Sequence, residues 1–161
     1  MSAPPIRPRQ GRDTQEFGPG KPDYLVCPLC SAVYGDKSWR ANFSRVRGVR
    51  EDKRIVFMRC PACEMIQEGK FEGEVIMQGV PAKRAEEVLN RIRNVGERAY
   101  QRDPMDRIIA LSRRGGRIVV TTTENQLALR IGRAIKKLLR GDLDIHWSDD
   151  EDIVRIRWKP S

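Results

Sequence analysis

Side chains that carry catalysis are scarce in this chain. One histidine, His146, stands among 161 residues, and the only four cysteines fall into two matching pairs. If both pairs hold a metal, no free thiol remains as a nucleophile. His146 lies between Ile145 and Trp147 on a predicted strand, which suits an exposed strand residue better than a general base. The phosphate loop GxxxxGK[ST], the serine elbow GxSxG and the protease motif HExxH are all absent. Asp149, Asp150, Glu151 and Asp152 are bunched without calcium-loop spacing, so they read as a solvated turn. No apolar run approaches the roughly 20 residues that span a bilayer, and no hydrophobic signal region opens the chain. These absences predict a cytoplasmic, non-enzymatic protein with no membrane span. Hydrophobic residues make up only 39%, which predicts small cores.

Acids are in deficit as well. Twenty-two Asp and Glu face 31 Lys and Arg, leaving a formal charge of +9. A soluble chain with this balance commonly meets a polyanion. Nucleic acid is the first candidate and an anionic membrane surface the second.

The cysteines form the clearest motif: Cys27-Pro28-Leu29-Cys30 and Cys60-Pro61-Ala62-Cys63. Each C-P-x-C turn aims two thiolates at one point, and zinc takes four such ligands as a tetrahedron at about 2.3 Å. The spacing predicts one structural Zn2+ on Cys27, Cys30, Cys60 and Cys63. Two disulfides, a redox pair, or four unpaired buried thiols are the competing readings. Tyr24–Val26, Val33–Tyr34 and Arg54–Arg59 read as strands around these turns, which predicts a zinc ribbon over residues 23–70. A ribbon has little core of its own, so much of its folding free energy comes from metal.

Residues 1–22 hold five of the ten prolines together with Arg7, Arg9, Arg12 and Lys21. Such a stretch is expected to be disordered when free. It either orders on RNA or merely solubilises the chain. Between the cysteine pairs lies a basic insert carrying Lys37, Arg40, Arg45, Arg47, Arg50, Lys53 and Arg54, with Trp39 and Phe43 interleaved. Cations beside planar rings suit RNA, because rings stack on unpaired bases while cations meet phosphate. The other reading is a solvated loop, with Trp39 packed in the core.

Residues 71–161 read as β-α-β-β-α-β with one further strand, the element order of a ferredoxin-like α+β domain with two helices on one face of an antiparallel sheet. Pro81 opens the first helix, and Ala85, Val88, Leu89, Ile92, Val95 and Ala99 form its stripe. Thr123-Glu124-Asn125-Gln126 reads as a capping box for the second helix, and Gly141 as its stop. Arg130, Arg133, Lys137 and Arg140 lie on that helix away from its apolar face. Arg155 and Arg157 alternate with Val154, Ile156 and Trp158, and so project from the opposite sheet face. The central strands lack the aromatics of an RNA-recognition motif, so backbone recognition is expected rather than base reading.

The two C-P-x-C turns, the strand Ile55–Met58 entering Cys60, and the segment Gly-Arg-Ile-Val-Val-Thr-Thr-Thr over 116–123 entering a helix resemble the large-ribosomal-subunit export adaptor family, the Nmd-three proteins. The likeness is to that family's N-terminal region and covers 23–158. It implies a zinc-bearing protein that docks on ribosomal RNA. Family members usually carry two cysteine quartets, and glycine often follows the second cysteine of a zinc-knuckle turn; here Ser31 and Glu64 stand there. The family's export role belongs to later domains and is not carried over.

The resulting expectation is a non-enzymatic, ribosome-associated RNA-binding protein, acting in assembly or in holding ribosomes idle, with ribosomal proteins as further candidate partners. The alternative is a zinc-ribbon interaction module for RNA polymerase or another protein complex.

Overall fold

Short β-favouring runs on either side of the basic insert come together as one small sheet. The computed structural model describes residues 22–49 and 51–161. The expected tail, with Arg7, Arg9 and Arg12, therefore lies outside the described residues except for Pro22, and Arg50 lies outside them too. Strand β1 (Tyr24–Val26) pairs antiparallel with β2 (Val33–Gly35) and parallel with β4 (Ile55–Phe57). Strand β3 (Ser38–Arg40) completes the order β3-β2-β1-β4. The β2–β3 turn holds Asp36 at φ 51° and Lys37 at φ 64°. Both positive φ values match a two-residue hairpin turn, whose twist fits the flanking strands.

A helix then carries the second cysteine pair, which corrects the expected ribbon. Helix α1 (Pro61–Glu68) has Cys60 as its N-cap, and the Cys63 N–H donates to Cys60 Sγ at 3.4 Å. Pro61 presets the first helical φ, and Gly69 at φ 68° closes the C-terminus. One cysteine pair thus sits on a β-turn and the other in the first turn of a helix.

The remaining chain forms a larger sheet under two helices: β5 (Gly73–Met77), α2 (Ala85–Arg102), β6 (Ile108–Arg114), β7 (Arg117–Thr122), α3 (Asn125–Leu138), β8 (Gly141–Trp147) and β9 (Val154–Pro160). The element order matches the expectation, but the sheet is mixed rather than antiparallel. Its order is β6-β7-β5-β9-β8, and β9 runs parallel to β5. The final hairpin folds so that β9 lies inside and β8 forms the edge. Burial explains this choice. Val154, Ile156 and Trp158 of β9 are at most 2% exposed, whereas Ile145 and Trp147 of β8 are 46% and 37% exposed. Asp142 and Asp144 also suit an edge, where charge discourages further strand pairing.

The core lies between this sheet and the helices. Val75, Met77, Ile118, Val120, Ile156 and Trp158 meet Val88 and Ile92 of α2 and Leu127, Ile131 and Ile135 of α3. The capping box does not form: α3 has no side-chain cap bond, and the Thr123 hydroxyl donates instead to the Met105 carbonyl at 2.7 Å. Gly141 begins β8 instead of ending the helix, which stops at Leu138.

The alternating residues face away from the helices. Register places Arg114 opposite Arg117, Ile76 between Val119 and Arg157, and Glu74 between Thr121 and Arg155. Lys159 stands opposite Asp142 on the same face.

Candidate metal centre

The ligating atoms of Cys27, Cys30, Cys60 and Cys63 all lie within 4.8 Å of one another, so the set can hold one metal ion. All four thiols are free of disulfides. The first pair is built by a tight turn. The Cys27 N–H donates to the Ala32 carbonyl at 2.8 Å, and the Ser31 N–H returns to the Cys27 carbonyl at 2.9 Å. Closing this turn puts Ser31 at φ 67°, the left-handed region that glycine occupies freely. The second pair gains from its place at a helix N-terminus, where unpaired N–H groups and the helix dipole favour thiolate.

A residue far away in sequence completes the site. Arg107, just before β6, directs Nη2 to Cys30 Sγ at 3.0 Å and to Cys60 Sγ at 3.8 Å, and Nη1 to Cys63 Sγ at 3.4 Å. Its backbone N–H donates to Thr123 Oγ1 at 2.9 Å, its Nε donates to the Pro104 carbonyl, and its guanidinium lies over the Tyr100 ring at 5.4 Å. The turn before β6 and the end of α2 thus hold a cation against the sulfur cluster. Four thiolates on a divalent ion carry a net charge of −2, and a partly buried guanidinium offsets half of it. Sequence reading took Arg107 only as the start of a strand. No local signal could find its role, because its partners are between 44 and 77 positions away.

The thiols share their protons unequally. The hydrogen bond from Cys60 is the main reason the Cys30 thiol falls to about 4; burial opposes this, and Arg107 adds to it. The same bond, with burial, pushes Cys60 up, and burial pushes Cys63 up. Burial opposes the charge on Arg107, but its bonds to the thiols outweigh burial and hold its pKa above the usual arginine value. One thiolate is therefore ready in the metal-free set, and metal binding must displace the remaining protons.

The expected RNA contacts fall into different places. Trp39 is 7% exposed and packs with Leu25, Cys27 and Cys60, leaving little of its ring for a base. Lys37 and Arg47 are exposed, and Arg54 is exposed with its backbone N–H bound to Asp23. Arg40 is half-buried beside Asp36 at 3.9 Å. Arg45 is tied to α2, donating to Gln101 Oε1 at 2.9 Å and to the Gln101 carbonyl at 3.4 Å. Lys53 lies over the Phe43 ring at 5.2 Å. On α3, Arg133 and Lys137 are exposed, and Arg130 pairs with Asp106 at 3.4 Å. Arg155 faces Glu74 at 3.7 Å, while Arg157 is exposed. Sequence reading missed Arg114, Arg117 and Lys159, which share the helix-free sheet face with Arg157.

Among the described residues, no helix is long and apolar enough to cross a membrane. No family model matches this chain, and no curated protein matches it.

Proposed function

We propose that this chain is a non-enzymatic zinc protein that binds the backbone of RNA, with ribosomal RNA as its target. The observation that carries the reading is the helix-free face of the large sheet. Arg114, Arg117, Arg157 and Lys159 project there, with Asp144 opposite Arg157 and Asp142 opposite Lys159 on the same face, and the four make no ion pair among the described residues. Ile76 and Val119 lie between them as apolar ground for ribose or base. Unpaired cations at strand spacing meet successive phosphates and release counterions as they do so.

The donor set favours zinc. Sulfurs about 2.3 Å from a tetrahedral zinc are about 3.8 Å apart. The Cys30 and Cys60 sulfurs are 3.7 Å apart. Four thiolates complete the coordination of such an ion, whereas catalytic zinc keeps a position open for water. The metal's role is therefore to hold β1, β2 and α1 together. Preference for ribosomal over other RNA rests on the resemblance of the cysteine turns and the 116–123 segment to the export adaptor family.

A second reading has its own support. Leu29 is 55% and Phe57 70% exposed near the metal, and exposed apolar residues suit a protein partner. Co-sedimentation with ribosomal subunits before and after nuclease separates the two. Loss of the complex on nuclease treatment is expected; a complex that survives supports the protein partner and overturns the RNA reading.

A further inference from the structure

A cleft of about 310 Å³ opens between the metal-bearing part and the end of α2. Its size is at the small end of ligand pockets, suited to a compact planar group with a short polar extension. Tyr34, Met65 and Met105 supply apolar walls. The Tyr34 ring is steadied by Trp39 behind it, with centroids 5.5 Å apart. Tyrosine and methionine are good neighbours for a flat aromatic ring.

Charge is divided within the cleft. Lys37, Arg40 and Arg102 line it, and among the described residues Lys37 and Arg102 make no ion pair. Lys37 is held there by the two-residue hairpin turn between β2 and β3. Asp103 and Glu124 also line the cleft, and the Glu124 carboxylate has no hydrogen-bond donor among the described residues, its backbone carbonyl alone accepting from Thr122. Burial, with Glu72, Asp106 and Asp103 nearby, raises its pKa to about 7. A ligand that brings donors to Glu124 would relieve that cost.

We propose that this cleft binds one guanine nucleotide, with the base against Tyr34, Met65 and Met105, its paired N–H donors on Glu124, and its phosphate on Lys37, Arg40 and Arg102. A carboxylate only accepts hydrogen bonds, and its two oxygens match two adjacent donors. Guanine is the standard base whose Watson–Crick edge offers them, from N1–H and the N2 amino group. Adenine and cytosine offer one donor beside an unprotonated ring nitrogen; ionised Glu124 repels that nitrogen whereas protonated Glu124 would donate to it, so guanine is preferred above about pH 7, where Glu124 is ionised. The occupant is either a free nucleotide or an unstacked residue of the RNA; only the second source rests on the RNA-binding reading.

The test uses the zinc-loaded full chain with GMP, AMP, CMP and UMP. GMP is expected to bind on the order of tenfold or more tighter than the other three, the usual effect of a hydrogen bond to a charged group. Methyl signals of Met65 and Met105 should shift on GMP binding. Glu124→Gln should bring GMP down to the level of AMP, and Lys37→Ala, at an exposed turn, should weaken GMP but leave guanosine unchanged. Equal binding of the four nucleotides, or GMP shifts away from the two methionines, overturns the proposal without help from any variant. Oligonucleotides differing by one unpaired G or A then identify the source. A G preference there makes the occupant an RNA residue; indifference with GMP still bound makes it a free nucleotide. RNA binding without GMP preference sinks the cleft alone, and GMP binding without RNA binding sinks the RNA reading alone.

Discussion

At the residue scale, Arg107 carries the most consequence. Groups that hydrogen-bond metal ligands fix their orientation and charge, and removing one typically costs about 10- to 100-fold in metal affinity. Arg107→Gln should therefore lose zinc to a chelator at concentrations about 10- to 100-fold lower than wild type requires. Unchanged competition curves would mean that Arg107 merely rests on the sulfurs. Ser31 gives a prediction of opposite sign. It holds φ 67° in the first cysteine turn, where a side chain costs about 1–2 kcal/mol. Glycine recovers part of that and loses part to chain entropy, so Ser31→Gly should stabilise the zinc-loaded protein by on the order of 1 kcal/mol in denaturant melts.

Glu124 makes stability depend on pH. Burial is the main cause of its elevated pKa of about 7, and Glu72, Asp106 and Asp103 add to it. A carboxyl whose folded pKa exceeds its unfolded value favours folding while protonated. That contribution is fully present below the ordinary carboxylate range and is lost as pH rises through about 7. The stability of Glu124→Gln relative to wild type should therefore grow between about pH 4.5 and pH 8. Asp106, raised to about 6 mainly by burial, titrates in the same window and interacts with Glu124, so the pH dependence belongs to the pair; the sign of the difference is unchanged.

At the element scale, Ile131 and Arg130 test the face of α3. Ile131 is fully buried, and Arg130 is an exposed partner of Asp106. Ile131→Ala should cost on the order of 2–5 kcal/mol. Arg130→Ala should cost no more than about 1 kcal/mol, the range of a surface ion pair. Equal losses in thermal unfolding would place the helix face wrongly. The periodicity of Leu127, Ile131 and Ile135 made this face legible from sequence, as the alternation in β9 did for Ile156 and Trp158. The clustering of the four cysteines was equally legible from the two C-P-x-C repeats, although one pair sits on a β-turn and the other in the first turn of a helix. Other features depend on tertiary choices. Whether β8 or β9 pairs with β5 depends on which strand better fills the core, and both alternate alike in sequence. Helix α1 was missed: the zinc-ribbon reading of residues 23–70 left 61–68 without an element, although Pro61 and Gly69 carry the start and stop of a helix.

At the scale of the whole molecule, the metal and the large sheet are not independent. Arg107 belongs to the turn before β6 yet donates to three of the four sulfurs. Sequence alone predicts that Cys60→Ser would unfold the metal-bearing part and spare the rest. The Arg107 contacts predict more: when the metal-bearing part unfolds, its thiolates leave Arg107, and a partly buried guanidinium without anionic partners is costly. Cys60→Ser, or chelation of the wild type, should therefore also lower the unfolding temperature of the large sheet, followed through the fully packed Trp158. A Trp158 transition unmoved by chelation would separate the two parts.

Backbone binding through the helix-free sheet face would make RNA affinity fall with salt. For single strands, log affinity falls with log salt by about 0.7 per neutralised phosphate. The measurement is that slope for ribosomal RNA, compared between zinc-loaded wild type and the variant with Arg114→Ala, Arg117→Ala and Arg157→Ala together. If these arginines neutralise phosphates, the variant binds more weakly with a slope flatter by up to about 2 units and unchanged zinc content. Equal affinity and equal slope for the two proteins would contradict backbone binding through this face.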